Sequence, residues 1–323
     1  MTTTAVPALR RALAQPTLGP LAALVLACVF FSTQSSRFLT TGNLSLVLQQ
    51  VMEVGTLAVG QTLVILTAGI DLANGAVMAL GGIVMTRLAV DNGVPPVLAI
   101  VLAIGLCAAL GALNGTLVTR IKLPPFIVTL GMLNIASALT FLYSRQQTVT
   151  GLPSELNALG NTFPLGGAHI AYGSIVMLAA FAVAWYVLRK TATGRHIYAV
   201  GDNPEAARLT GISTRRLLVG VYTAAGALYG VAALLVVARS GVGDPNAGQT
   251  DNLDSITAVV LGGISLFGGR GSIVGTLFGA LLVGVIRNGL QLIGVSSVYQ
   301  LLITGVLVIL AVSVDQLARR RRK

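Results

Sequence analysis

Residues 96–119 read PVLAIVLAIGLCAALGALNGTLVT, an uncharged apolar run of the length that crosses a bilayer as one helix. The rest of the chain is of the same kind. Only 10% of the 323 residues are charged and 54% are hydrophobic, with a mean hydropathy of +0.85. A soluble domain carries roughly 25% charged residues, so this chain reads as an all-α polytopic membrane protein, a single transmembrane unit over 1–323.

Hydropathy marks about ten spans, near 19–34, 44–67, 71–89, 96–119, 124–143, 171–189, 216–238, 253–267, 272–290 and 296–314. DNGVPP (91–96), KLPPF (122–126) and GDPNAG (243–248) supply turn residues between them. Of the 21 basic residues, 16 cluster at Arg10 and Arg11, at Arg120 and Lys122, in the 189–216 segment, at Arg270 and in the tail RRRRK. These places alternate along the chain, which is the positive-inside pattern. It puts both termini and a loop at about 190–215 in the cytoplasm, with outer loops at about 144–170 and 239–253. Arg37, Arg87, Arg145, Arg239 and Arg287 are exceptions, expected to snorkel at the outer boundary. A net charge of +11 distributed in this way flanks lipid and does not describe a nucleic-acid patch. Cys28 and Cys107 lie in apolar runs, so neither a disulfide framework nor a metal site is expected.

Glycines spaced by four, Gly111 with Gly115, Gly226 with Gly230, and Gly271 with Gly275 and Gly279, suit close helix approach in lipid. A weak internal repeat lays GIDLANGAVMALG (69–81) on GISLFGGRGSIVG (263–275). Such Gly-interrupted segments are either short cytoplasmic turns or breaks within the membrane that mark a transport site. Asp71 lies in one of them, and a carboxylate there must face water, cap a broken helix or sit at an interface. Glu53 lies deeper in its span, and Gln61, Asn114, Thr129 and Asn134 add uncharged polar groups. These residues are candidates for a translocation pathway suited to a hydroxyl-rich solute, or they are hydrogen-bonding glue between helices.

No GxxxxGK[ST] loop, HExxH or GxSxG is present, and His169 and His196 fall in expected loops. No catalytic residues, resident cofactor or metal are therefore expected. What remains is transport, driven by an ion gradient through Glu53 or Asp71 or by a separate motor protein.

GDNPEAARLTG (201–211) bears on that choice. Asn203 is a natural N-cap, Pro204 fits the first helical position, Glu205 favours the helix N-terminus and Gly211 can end the helix left-handed. Glu205 and Arg208 are spaced for an ion pair. A helix of about seven residues is not stable alone in water, so it must rest on these spans or on another protein, with Ala206, Ala207 and Leu209 as its small contact groups.

GRHIYAVGDNPEAARLTGI (194–212), GIDLANGAV (69–77) and VVLGGISLFGGRGSIVGTLFGALLVGVIRNGLQLIGVS (259–296) resemble the permease subunit of bacterial ATP-binding-cassette monosaccharide importers of the ribose, xylose and fructose type. The resemblance implies a coupling helix that docks on an ATPase, mapped onto Asp202, Asn203, Pro204, Glu205, Ala206, Ala207, Arg208 and Gly211. The wider importer motif continues with I-x-L-P, where this chain reads VYTA (221–224). The resemblance further implies ATP and Mg in a cytoplasmic ATPase partner, a periplasmic or tethered sugar-binding protein, a second permease chain as a homodimer, and a multi-pass location in the bacterial inner membrane. Related importers of nucleosides, autoinducer sugars or branched-chain amino acids are the alternatives of the same kind.

Overall fold

The computed structural model describes residues 17–320, and of these some side chains from 308 onward are not described. Arg10, Arg11 and the last three residues of the basic tail lie outside the described residues.

Thirteen helices are described. α1 (Leu18–Gln34) leads to α2 (Thr41–Leu66), α3 (Asn74–Val90), α4 (Pro96–Thr116) and α5 (Pro125–Ser144). The segment between α5 and the next long helix holds α6 (Ser154–Asn157), β1 (Thr162–Leu165) and β2 (Ala168–Ala171) before α7 (Tyr172–Lys190). The 190–215 loop folds into α8 (Ala192–Asp202) and α9 (Pro204–Leu209), followed by α10 (Thr214–Ser240), α11 (Asp251–Leu261), α12 (Ile273–Leu292) and α13 (Ser297–Arg320). Five of the described helices, α4 with its π-helical end, α5, α7, α10 and α12, are long and apolar enough to cross a membrane.

α2 is the axis. Every residue from Val51 to Leu66 is buried, and the helix packs on α10, α12, α11 and α7. Being surrounded by protein, it tolerates Gln, Glu and Thr where a lipid-facing helix would not. Asn43 and Asn288 exchange amide hydrogen bonds of 2.9 and 3.0 Å, and the Thr62 and Thr276 hydroxyls meet at 2.9 Å, so α2 is fixed to α12 at two levels. α4 crosses α10 through the expected small residues: a Cβ on Gly115 would come within 2.9 Å of Val219 Cα, and one on Gly230 within 2.8 Å of Ile104 Cα. The outward faces of α1, α4, α5 and α7 carry exposed Val25, Leu26, Val101, Leu142 and Val183, as lipid-facing helices should.

Three expectations change. The span expected at 253–267 is a helix of only 11 residues, about 16 Å long at 1.5 Å per residue and half of a bilayer core. Gly262 and Gly263 end it, and hydropathy reads through them because ISLF beyond is equally apolar. The loop at 239–253 is inserted between helices: Gly248 abuts Gly75 and Met78, and Asn252 donates to the Leu72 carbonyl at 3.4 Å. The loop at 144–170 is not purely helical, because LGGA at 165–168 closes an antiparallel hairpin with Gly166 and Gly167 at φ +57° and +84°. The hairpin rests on the start of α2, where the His169 amide donates to Ser45 Oγ at 3.0 Å. His196 lies within α8.

Three of the five exceptional arginines have partners. Arg87 bonds Asp91 at 2.6 Å and the Ser144 carbonyl at 2.6 Å, Arg239 reaches Glu53 at 2.8 Å, and Arg287 reaches Asp254 at 3.6 Å. The carboxylates that meet Arg239 and Arg287 are buried, whereas Asp91 beside Arg87 is exposed.

Candidate functional site

The short helix α9 is built as its residues dictate. Asn203 Oδ1 accepts from the amides of Glu205 and Ala206 at 3.1 and 3.0 Å, Pro204 opens the helix, and Gly211 follows it at φ +87°. Glu205 and Arg208 pair at 2.6 Å, which holds the Glu205 carboxyl below its ordinary range. Ala206 and Leu209 are exposed, Leu209 by 75%. Ala207 departs from expectation: it is buried and faces the protein, so α9 presents Pro204, Glu205, Ala206, Arg208 and Leu209 outward.

What α9 stands on is the more informative point. Gly201, at the end of α8, is so close to the Leu66 carbonyl and the Gly269 amide that no side chain fits. The Gly269 amide donates to the Leu66 carbonyl at 2.9 Å, Gly268 abuts Ala68, and Gly269 abuts Asp202. Arg270 approaches Asp202 at 3.9 Å. The second segment of the weak repeat therefore meets the residues that lead into the first, Leu66 and Ala68, and the root of α9 at one point. Gly201, Gly268 and Gly269 were not singled out for this contact; their only signal was glycine at the edges of recognised motifs.

From that junction residues 67–74 turn back into the protein. Asp71 is buried, with Oδ1 accepting from the Ala73 amide at 2.8 Å and Oδ2 from the Tyr229 hydroxyl at 3.2 Å, so it caps the turn into α3. Asn74, the first residue of α3, reaches Ser255 Oγ at 2.7 Å and Gln61 Oε1 at 3.4 Å. Thr129 donates to the Ile70 carbonyl at 3.0 Å. Gln61, Asp71 and Thr129 are thus gathered around one turn, together with Asn74, Ser255 and Tyr229, which sequence reasoning passed over. The starts of α3 and α11 face each other here, each beginning inside the protein.

The other candidates lie elsewhere. Glu53 stands 13 residues before Leu66 on α2, paired with Arg239 and near Asp251 and Arg287, and its second oxygen has no hydrogen-bond partner. Asn114 is buried on α4 with its carbonyl oxygen unpartnered. Asn134 is exposed on α5, its amide turned to the Leu130 carbonyl at 3.3 Å.

A cavity of about 330 Å³ opens between α3, α5 and the inserted loop, within the range of small-ligand pockets. Ser137, Thr140, Gln249 and Asn252 line it beside Phe141 and Ala79, with no charged side chain among its walls. Amides and hydroxyls beside an aromatic ring suit a neutral polyol.

Residues 43–312 match the family model described as branched-chain amino acid transport system / permease component. The chain is 47% identical over 311 residues to the fructose import permease protein of Rhizobium meliloti, covering 94% of this chain and 86% of that protein. It is 42% identical over 301 residues to the ribose import permease protein of Bacillus subtilis (strain 168), covering 93% and 92%. To the D-allose transport system permease protein of Escherichia coli (strain K12) it is 34% identical over 293 residues, covering 91% and 89%.

Proposed function

The chain belongs to the family of branched-chain amino acid transport system permease components, and from that premise we propose that it is the permease subunit of an ATP-driven importer that passes a monosaccharide delivered by an external binding protein. Relatives bearing fructose, ribose and allose in their names support the sugar class. The observation that carries the mechanism is the exposed helix α9, seated through Gly201 on Leu66 at the end of α2 and on the glycine segment that leads into α12.

In this reading α9 is the coupling helix, with Asp202 and Asn203 at its root and Gly211 at its end, and a cytoplasmic ATPase carrying ATP and Mg binds its outer face. Closure of the ATPase pushes α9, the Gly201 contact passes the displacement to the 66–71 and 265–271 segments, and these tilt α3 and α11 about the polar turn at Gln61, Asp71 and Asn74. The solute moves through neutral surroundings, the cavity lined by Ser137, Thr140, Gln249 and Asn252, with Glu53 locked in its ion pair. A second copy of the chain completes the pathway. The α9 face and both termini are cytoplasmic in the bacterial inner membrane, and the eighth of ten passes is made by the inserted loop together with α11.

An ion-coupled transporter would need a carboxylate free to load and release its ion. Glu53 is held by Arg239 at 2.8 Å and Asp71 by the Ala73 amide and Tyr229, which favours the ATP-driven reading. Glu205→Lys on the exposed face of α9 tests it. The variant should fold and reach the membrane, yet lose copurification of the ATPase and sugar uptake; unchanged copurification and uptake would remove α9 from the mechanism.

A further inference from the structure

A groove of about 330 Å³ runs along the outside of the bundle between α7 and α12. Its walls are apolar: Leu178, Phe181, Ala182 and Trp185 from α7, Val274 and Leu277 from α12. A sugar or nucleotide would find no hydrogen-bonding group along them, whereas a hydrocarbon chain would.

One end of the groove is different in kind. Arg189, one turn beyond Trp185, places its guanidinium 5.8 Å from the centre of the indole ring, and Lys190 follows as the last residue of α7. Both cations are exposed, and none of the five ion pairs among the described residues uses either of them. An apolar trough that terminates in two cations without acidic partners matches one molecular shape, a hydrocarbon chain joined to a negatively charged headgroup.

We propose that this groove binds an anionic phospholipid of the surrounding bilayer, its acyl chain along the α7–α12 walls and its phosphate at Arg189 and Lys190. A zwitterionic lipid would fill the walls equally well but leave the cations without net charge compensation. Each basic residue near the surface attracts anionic lipid measurably, and two of them give a preference of roughly tenfold or more. The lipid would brace α7 against α12 beside the bond from Tyr198 Oη to the Gly271 carbonyl, at 3.1 Å, which ties α8 to the start of α12. The proposal stands whether or not the chain carries sugar, because it concerns only the lipid-facing surface.

Trp185 is the one tryptophan in the sequence, so its fluorescence reports this groove alone. The full chain is reconstituted in phosphatidylcholine vesicles containing graded fractions of brominated phosphatidylglycerol or brominated phosphatidylcholine. The expected result is half-quenching at a mole fraction roughly tenfold lower for the phosphatidylglycerol. In Arg189→Gln/Lys190→Gln the two lipids should quench alike, with circular dichroism confirming the fold; Lys190→Gln alone should lose part of the preference and serves if the double variant does not fold. Equal quenching of the wild type by both lipids would overturn the proposal. So would quenching by neither, which would mean a protein surface such as a second copy covers the groove, or a preference that survives loss of both cations.

Discussion

Gly201→Ala adds one methyl group at the junction where α8, the end of α2 and the 265–271 segment meet. The new Cβ would collide with the Leu66 carbonyl oxygen and lie 2.5 Å from the Gly269 nitrogen and 2.9 Å from the Leu66 carbonyl carbon. All three are backbone atoms, which cannot rotate away as a side chain can. They are also the two partners of the 2.9 Å hydrogen bond from Gly269 to Leu66, so making room opens that bond. Overpacking costs about 1–3 kcal/mol and the lost hydrogen bond about 1 kcal/mol more, about 2–4 kcal/mol together. At about 2–4 °C per kcal/mol for larger domains, the melting temperature should fall by several degrees. Sugar uptake per ATP hydrolysed should fall further than stability does, because the strain is placed where α9 is seated. Gly220→Ala is the control: nothing lies within 4 Å of a Cβ there, and an exposed mid-helix alanine gains about 0.5–1 kcal/mol over glycine. The reasoning fails if Gly201→Ala matches Gly220→Ala in both melting temperature and coupling ratio.

Asn203→Ala removes the acceptor for two amides and should cost α9 about 1 kcal/mol, weakening ATPase copurification, while Asn203→Asp keeps the cap and should restore it; equal loss in both would show that capping is not the reason. Arg239→Ala leaves Glu53 buried without its charge partner and should cost about 3–5 kcal/mol in thermal unfolding, less any hydration through the Arg239 side, whereas Glu53→Gln/Arg239→Gln should recover most of it. Because Arg208 lowers the Glu205 pKa from its ordinary 4.5, the pair supports α9 fully above the ordinary carboxylate range and loses that support as pH falls through the lowered value. ATPase binding should therefore show an acid-side decline that disappears in Glu205→Gln, and an identical pH profile in that variant would refute the assignment.

Helix α9 was legible in the sequence because its determinants are local: Asn203, Pro204 and Gly211 act on backbone within a few residues of themselves. The five helices long and apolar enough to cross a membrane were legible because a long apolar run is recorded in composition alone. The inserted loop was not, since its position depends on Gly75 meeting Gly248, two glycines far apart in sequence that look like packing residues in isolation. α11 was misjudged in length for a related reason, because an apolar segment can be a crossing helix or a half-helix followed by buried turns. The hairpin was not foreseen, because its flanking strands are only four residues each and leave little alternating pattern to read. Of the polar candidates, Asp71 had capping a broken helix among its three alternatives, and its bonds to the Ala73 amide and the Tyr229 hydroxyl fit that one. The pairing of Glu53 with Arg239 spans 186 residues and had no trace in local pattern.

Reconstitution tests the central claim most directly. Proteoliposomes holding this chain with its copurifying ATPase and external binding protein are supplied with ATP and Mg on the α9 side, and labelled monosaccharide uptake is compared with that of the chain alone under proton or sodium gradients. The account predicts uptake only in the complete ATP-supplied system, lost with Glu205→Lys. Gradient-driven uptake by the chain alone, indifferent to that substitution, would contradict it.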